Sequence, residues 1–427
     1  MNNETRAKAD DHFLRWLPIY RLLLLIAVVF IALEAIFKAT RGPAGDIDAF
    51  VHAARLVLSG DNFYDIPNRF DRYYIYPPLF AILVIPLTFI QLDHAVILWC
   101  LSSIALIGWS IPVFYKSMTG VSFFSIPPRI RWTIGVLSVL MIERFIEAQL
   151  VLSQANVFIM ALAVSGLAFW SQKREIRAGL LIGLSGIIKP LTYPLGVLFL
   201  ARRNFRLAGW MIAGVVVGIF LPALVFGVGE NIAYHKEWIQ KAVLKYEPGS
   251  TQWIDTYNFS LQSQGLRFLT DAPAFHHGTE RYFFTLWKAP APVLFVFSWA
   301  MTLFVPVAVA LFAVVFRKAA ALASLGGGVA FAFSLMPLST TVAQENHFVL
   351  LLPPCIYILH LWLEREVRDF TFRSLVVASF ILMQLTSRKI WGDFYSEIFV
   401  AVGMVTLGSL LLSAAVVRGA HIIARRP

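Results

Sequence analysis

The composition of this 427-residue chain is that of a membrane protein. Hydrophobic residues make up 58% of it and charged residues only 14%, and the mean hydropathy is +0.71. Soluble proteins carry about 25% charged residues, so an ordinary soluble fold is excluded. The net charge of +11 would suit a nucleic-acid partner, but the basic residues cluster at the ends of apolar segments, as at Lys173-Arg174, Arg202-Arg203 and Arg317-Lys318. That pattern marks membrane topology and predicts no nucleic-acid partner.

Apolar segments follow one another along the chain, each near the roughly 20 residues that a helix needs to cross the hydrocarbon. We predict an all-α polytopic protein with about 12 transmembrane helices in a single domain, after a cytoplasmic leader at 1–16. Two polar segments, 40–74 and 229–290, are predicted to be outer loops, because the basic N-terminus orients an uncleaved first span outward. Cys100 and Cys355 lie in apolar segments, which predicts neither a disulfide framework nor a cysteine metal site. The predicted spans cover 17–37, 75–91, 94–115, 132–149, 152–171, a broken segment at 177–203, 208–228, 291–316, 320–338, 347–363, 374–389 and 395–417.

The first outer loop contains the strongest candidate for chemistry. Asp46 and Asp48 precede an apolar pattern of helical period that stops at Ser59-Gly60, so both are predicted to start a short amphipathic helix at the membrane surface. A carboxylate there can act as general base for a hydroxyl nucleophile. The alternatives are that one aspartate caps the helix while the other is solvated, or that the pair binds a divalent cation. No further acidic residue has the spacing of a dedicated oxygen cage.

Polar residues inside apolar segments are the second signal, since each costs about 3 kcal/mol at the bilayer centre unless it is paired or lines water. Lys189 stands next to the helix-breaking Pro190, which predicts a position that lines a cavity. Lys189 is a natural phosphate partner, and His347 could bind phosphate or steer a proton. For His347 alone, an interfacial histidine with satisfied hydrogen bonds is the competing interpretation.

Other polar and aromatic residues each allow two interpretations. Four tyrosines of the first outer loop suit either a sugar-stacking surface or, for most of them, the aromatic belt at the headgroups: Tyr64, Tyr73, Tyr74 and Tyr76. The triplet Asn258-Phe259-Ser260 matches a glycosylation acceptor, but we interpret it as packing or ligand contact. Two glutamates are expected to line a functional cavity or to pair with Arg144 or the backbone: Glu143 and Glu147.

Six motifs follow one another in order along residues 15–360. They are GDIDAFVHAARLVLSGDNFYD, YIYPPLFAILVIPL, LSQANVFIMALA, RAGLLIGLSGIIKPLTYPLGVLFLARR, YNFSLQSQGLRFL and ENHFVLLLPP. This series resembles the motifs of glycosyltransferase family 87, which belongs to the GT-C fold class and includes polyprenyl-phosphate-mannose-dependent alpha-1,2-mannosyltransferases. Two positions depart from the family pattern: Ser153 stands where glycine is frequent, and Asn346-His347 where many members have paired histidines.

The resemblance implies an Asp general base in the first outer loop, with Asp48 at the matching position and Asp46 as the second choice. It implies inverting transfer of a hexose, with mannose favoured, from a polyprenyl-phosphate donor to a hydroxyl of a glycolipid or glycan. No cofactor is expected, and a divalent metal is not expected either. The active site is expected on the periplasmic or extracellular side of the inner or plasma membrane. The implied donor-phosphate ligands are Lys189, His347 and Arg72, and the implied substrate contacts are Tyr76, Gln154, Asn156, Asn258 and Ser260.

A transporter or flippase of a lipid-linked or anionic substrate is the alternative from another functional class. The charged Lys189 within a broken apolar segment suits it, because transporters place ligands at interrupted helices. Against it, the two halves of the chain show no correspondence. The polar residues are also concentrated in the two outer loops, which favours an enzyme acting at the membrane surface.

Overall fold

The computed structural model describes residues 17–19, 21–22, 25–26, 28–38, 40, 45–245, 247, 249–251, 254 and 257–425. Within them the chain is mostly helical, and the predicted all-α class is confirmed. The only sheet in this described part is a two-stranded antiparallel ribbon of β1 (Phe275–His277) and β2 (Glu280–Tyr282). The predicted leader at 1–16 lies outside the described residues, and the described residues between 17 and 38 are helical.

The helices differ widely in length, from four residues at Ala223–Phe226 to 28 at Leu92–Thr119. They are α1 (Gly45–Ser59), α2 (Pro78–Val84), α3 (Leu92–Thr119), α4 (Pro128–Leu140), α5 (Glu143–Val151), α6 (Asn156–Ser171), α7 (Glu175–Ile188), α8 (Tyr193–Ala201), α9 (Phe205–Phe220), α10 (Ala223–Phe226), α11 (Val228–Trp238), α12 (Leu261–Leu269), α13 (Ala291–Val315), α14 (Gly327–Leu335), α15 (Leu352–Leu359), α16 (Phe370–Gln384), α17 (Arg388–Ala401) and α18 (Met404–Ala424). Short 3-10 and π turns extend several of them, at Ile85–Phe89, Phe123–Ser125, Pro190–Thr192, Ile239–Val243, Leu322–Gly326, Met336–Ser339, Glu345–Leu351 and His360–Glu364.

Six helices of the described residues are long and apolar enough to cross a membrane, and eight if each of two bent pairs counts as one span. The bent pairs are α5 with α6, at 118°, and α16 with α17, at 88°. This is fewer than the 12 that hydropathy predicts, because several apolar segments are broken or too short and because the predicted span at 17–37 lies only partly within the described residues. The segment 177–203 breaks at Pro190 as predicted, into α7, a 3-10 turn and α8.

Three segments that we predicted as single spans are divided, and those predictions are wrong. The segment 374–389 is divided at 385–387, between α16 and α17. The segment 132–149 is divided at Met141-Ile142, between α4 and α5. The segment 395–417 is divided at Gly403, between α17 and α18. Gly403 has a φ of 84°, a left-handed conformation that glycine adopts without strain. An apolar pattern continues through such a break, so hydropathy alone does not reveal it.

Close helix packing is achieved through small residues. A Cβ at Gly183 of α7 would lie 2.1 Å from the Met211 carbonyl oxygen, and one at Gly214 of α9 would lie 2.5 Å from the Leu180 carbonyl oxygen. Glycine therefore lets α7 and α9 approach to backbone contact, as is common in membrane bundles. Every residue of α14 and of α15 is buried, so these two helices form the centre of the bundle.

The first polar helix, α1, has the bounds that the sequence predicts, with both aspartates in its first turn. Its N-terminus rests on the turn between α5 and α6, where the Asp46 N–H donates to the Leu152 carbonyl at 2.9 Å. Gly45 has a φ of 57°, and a Cβ there would lie 2.4 Å from the Leu152 oxygen. Only glycine fits this position, and the contact brings the aspartates next to Gln154.

Ser153, in the same turn, has a φ of 47°, a left-handed conformation that costs a residue with a Cβ about 1–2 kcal/mol. We expect Ser153→Gly to raise the free energy of unfolding by about 1 kcal/mol, measured by thermal unfolding in detergent. Ser153→Ala is the matched control, because it removes the hydroxyl and keeps the strained backbone. Equal stabilisation by both substitutions would show that backbone strain is not the cause.

Candidate active site

Five segments that are distant in sequence meet at the start of α1. They are the first turn of α1, Tyr76 ahead of α2, the α5–α6 turn, Lys189 after α7 and the 3-10 turn Glu345–Leu351. Gln154, in the α5–α6 turn, forms hydrogen bonds to both the first turn of α1 and Tyr76. Its side-chain amide donates to the Asp46 carboxylate, and its Oε1 accepts from the Tyr76 hydroxyl at 3.1 Å. The Gln154 carbonyl accepts in turn from the indole of Trp99 at 3.1 Å.

Lys189 lies in extended backbone with a φ of −153° and a ψ of 126°, because a residue before proline is sterically excluded from the helical region. This ends α7 and turns the side chain into the site. The Lys189 Nζ lies 2.6 Å from His347 Nε2 and 3.2 Å from Asn156 Oδ1. It is also 5.9 Å from the centre of the Tyr76 ring, within cation–π range.

The hydrogen bonds of His347 fix which of its nitrogens carries the proton. The backbone N–H of Gln344 donates to His347 Nδ1 at 3.1 Å, so in the neutral ring Nε2 bears the hydrogen. That N–H donor faces the Lys189 ammonium, which also has donors only. Asn156 supports the same turn by donating to the carbonyl and the Oδ1 of Asn346, at 3.1 and 2.9 Å.

Asp46 lies outside the candidate spans, and its surroundings act on its pKa in both directions. Burial raises the pKa of the Asp46 carboxyl above its ordinary value, while the positive charges of Lys189 and Arg72 and the amide of Gln154 lower it in part. Arg72 reaches this position by donating from Nη1 to the Gly45 carbonyl at 3.2 Å. A buried carboxylate with a raised pKa is a stronger proton acceptor than a solvated one.

Asp48 is held by a different group of residues. Its side chain is 9% exposed, accepts from Asn68 Nδ2 at 2.7 Å and pairs with Arg69 Nε at 3.3 Å. The Oδ1 of Asn68 accepts from the N–H groups of Phe70 and Arg72, both at 3.0 Å. Residues 68–72 therefore form a compact turn that contacts Asp48 through Asn68 and Gly45 through Arg72. The structure places Asp46, and not Asp48, in contact with Gln154.

The tyrosines of the first outer loop are mostly internal, and the aromatic belt predicted for them is wrong for three of the four. Tyr64, Tyr74 and Tyr76 are buried, and only Tyr73 is exposed. Tyr64 and Tyr74 pack against each other and donate to the carbonyls of Tyr76 and Pro77, at 2.7 and 3.1 Å. This aromatic cluster fixes the backbone at Tyr76 and so orients its hydroxyl toward Gln154.

Asn258 and Ser260 lie at a neighbouring position and contact the segment that leads to His347. Both donate to the Thr341 carbonyl, at 3.0 and 2.9 Å, and Asn258 Oδ1 accepts from the N–H of Ala343 at 3.0 Å. Ser260 also caps α12 by accepting from the N–H of Ser263. These contacts are packing contacts, and a role for either residue in binding substrate stays a prediction.

The charged residues of α5 have other partners than we predicted from sequence. Arg144 pairs with Glu345, with Nε and Nη2 at 2.6 and 2.5 Å from the same carboxylate oxygen. Glu147 pairs with Lys38 at 3.0 Å and with Lys389 at 2.5 Å. The pairing of Arg144 matters for the site, because Glu345 directly precedes Asn346 and His347.

Two polar residues that complete this network, Gln149 and Asn68, were not predicted from the sequence. Gln149 is fully buried, donates to the Gln154 carbonyl and accepts from Asn156 Nδ2 at 3.2 Å. Asn68 holds Asp48. A signal existed for Gln149, since an amide inside an apolar segment needs a partner. Nothing in the sequence singles out Asn68 from other loop asparagines.

An apolar groove of about 540 Å³ adjoins the site. It lies between α2, α3 and α6, and its lining includes Phe80, Trp99, Trp109, Phe158 and Ile188. Two of these residues border the polar site directly, because Trp99 donates to the Gln154 carbonyl and Ile188 precedes Lys189. Among the residues that the structure describes, no three His, Cys, Asp or Glu side chains come together in a way that could hold a metal ion.

A comparison with known families assigns this arrangement. The sequence profile of glycosyltransferase family 87 matches residues 74–334, more than half of the chain. The chain belongs to glycosyltransferase family 87. It is therefore a membrane glycosyltransferase. The matched range includes Tyr76, Gln154, Asn156 and Lys189, whereas both aspartates and His347 lie outside it. No curated protein matches the chain.

The ion pair of Arg144 with Glu345 should stabilise the turn that carries His347. We expect Arg144→Ala to lower the free energy of unfolding by about 1–3 kcal/mol, because it leaves a half-buried carboxylate and the Met383 carbonyl without their donor. Arg144→Lys should recover part of the loss. Thermal unfolding in detergent measures both.

The matched control is Arg206→Ala, which breaks the exposed ion pair with Glu175 at 3.1 Å. Its expected effect is below about 0.5 kcal/mol. If the two alanine variants lose the same stability, burial of the Arg144 pair does not strengthen it.

Proposed function

We propose that this glycosyltransferase moves a mannosyl group from a polyprenyl-phosphate donor to an acceptor hydroxyl at the outer face of the membrane, with inversion at the anomeric carbon. The observation that carries the proposal is the meeting of two N–H donors, Lys189 and His347, beside the buried carboxylate of Asp46. Such a site combines anion-binding donors with a proton acceptor. The choice of mannose and the orientation rest on the sequence resemblance and on the charge pattern.

The donors Lys189 Nζ and His347 Nε2 suit a phosphate group. The two nitrogens lie 2.6 Å apart, and an anionic oxygen bound beside them would accept a hydrogen bond from each. Arg72 adds a second positive charge, close enough to Asp46 to lower the pKa of its carboxyl. Charge-assisted hydrogen bonds of this kind are the strong ones, because the acceptor is ionised.

The adjoining groove suits a prenyl chain. Its lining is almost entirely apolar, and it ends where Ile188 and Trp99 meet the polar site. A polyprenyl phosphate bound with its phosphate at Lys189 would direct its first isoprene units past Trp99 and Phe158. Burial of apolar surface along this path contributes about 25 cal/mol per Å². A nucleotide sugar has no chain that would use the groove.

In the proposed reaction, Asp46 accepts the proton of the acceptor hydroxyl. The acceptor oxygen forms a bond to the anomeric carbon as the bond from that carbon to the phosphate oxygen breaks, and the lipid phosphate leaves with the electron pair. Lys189, His347 and Arg72 stabilise the charge that develops on this phosphate. Gln154 orients the carboxylate, and Tyr76 holds Gln154. No step of this scheme requires a metal ion.

We favour Asp46 over Asp48 as the base, which reverses the order suggested by the sequence. The Asp48 carboxylate is engaged by Asn68 and Arg69, so both of its oxygens have partners in the loop. Asp46 interacts with Lys189, and among the described residues its carboxylate accepts a hydrogen bond from Gln154. A base must lie within hydrogen-bond reach of the reacting hydroxyl, and Asp46 is the carboxylate next to the proposed phosphate site.

Asp46→Asn should reduce the rate of glycosyl transfer about 10²–10⁴-fold, the usual contribution of a general base. Asp48→Asn is the matched control and should keep most of the activity. The assay uses the purified protein in nanodiscs with a panel of polyprenyl-phosphate sugars, and mass spectrometry identifies the lipid product. Loss of transfer in Asp48→Asn alone would assign the base to Asp48. If the enzyme uses other donors of the panel but not the mannosyl lipid, the proposal that mannose is the transferred sugar is wrong.

The pH profile separates the two aspartates without removing either. The base must be ionised, so kcat falls as the pH drops through its pKa. Arg72 lowers the pKa of Asp46, and Arg72→Gln should therefore move the acid limb of kcat to higher pH at saturating donor. Arg69→Gln removes an equal charge next to Asp48 and should leave the limb in place. The reverse pattern would identify Asp48 as the base.

A further inference from the structure

A second groove, of about 610 Å³, lies at one end of the bundle, away from the residues of the active site. It forms where the turn between α8 and α9 meets the end of α13. Three basic side chains and several apolar ones line it. The lining consists of Leu200, Ala201, Arg203, Phe205, Val314, Val315, Arg317 and Lys318.

The charge in this groove is positive only. Arg203, Arg317 and Lys318 line it, and no acidic residue does. In the described part of the chain, no ion pair includes any of these three, whereas the nearby Arg206 pairs with Glu175 at 3.1 Å. Arg202, next along the chain, is close enough to Arg317 for the two charges to repel. Gathering like charges costs free energy that a bound anion would offset.

The apolar part of the groove restricts the kind of anion. Phe205 is 66% exposed and Val315 72% exposed, and Leu200 and Val314 are also exposed. In a membrane glycosyltransferase, exposed apolar side chains at a helix end face lipid chains. A ligand that uses both surfaces carries a phosphate and acyl chains, and basic pockets between helix ends are known to bind such headgroups.

We propose that the groove lined by Arg203, Arg317 and Lys318 binds an anionic phospholipid, with the phosphate between the three cations and the acyl chains along Phe205 and Val315. The inference concerns a site separate from the proposed donor site and does not depend on it. The same basic residues also mark topology, but topology requires only positive charge near a span end. Topology does not require that the three basic residues line one groove together with exposed apolar side chains.

The test is a native mass spectrometry titration of the purified, delipidated protein with phosphatidylglycerol. The variant carries Arg203→Gln, Arg317→Gln and Lys318→Gln together, and its Kd should rise at least about tenfold, since each basic residue contributes to headgroup attraction. Phosphatidylcholine should bind wild type and variant equally. A matched control removes three exposed charges outside the groove, with Lys116→Gln, Lys173→Gln and Arg174→Gln, and should bind like wild type.

A second variant keeps every basic residue, and with them the topology signals. Phe205→Asp places a carboxylate in the groove at the first turn of α9, where the helix end favours an acid, and should also weaken phosphatidylglycerol binding. Unchanged binding in both variants would overturn the proposal, as would an equal loss in the control. Competition by inorganic phosphate at equal concentration would show that the site recognises a free anion and not a lipid.

Discussion

The candidate active site depends on the contact between the start of α1 and the α5–α6 turn. The Asp46 N–H donates to the Leu152 carbonyl, and Gly45 has no side chain that would separate the two backbones. Because Gln154 stands two residues after Leu152, this contact sets the distance from Asp46 to the amide that orients it. The position of the carboxylate is thus fixed by backbone, which is more rigid than a long side chain on a free loop.

The second constraint is that buried polar side chains must form hydrogen bonds with one another. Gln149, Gln154, Asn156 and Asn346 form a connected set of amides, and Lys189 and His347 extend it. An amide without a partner at this depth would cost a few kcal/mol. Mutual hydrogen bonding removes that cost and orients each side chain. The charged pairs of α5 do the same for the adjoining turn, where Arg144 contacts Glu345.

Local features of this fold and site were predictable from the sequence, and the long-range ones were not. The bounds of α1 and the break at Pro190 follow from helical periodicity and proline sterics. The choice between Asp46 and Asp48 does not, because two residues differ by about 200° around a helix and the packed face decides which carboxylate points to Gln154. The division of 395–417 depends on the backbone at Gly403, and the partner of Arg144 comes from 201 positions away.

The compact turn at 68–72 contacts the surroundings of both aspartates. Asn68 holds Asp48 from one end of it, and Arg72 reaches Gly45 from the other, with its charge near Asp46. A displacement of this turn would free one carboxylate and withdraw a cation from its neighbour in the same movement. If Asp46 is the base, as we propose, the basicity of that base and the freedom of the Asp48 carboxylate would then change together.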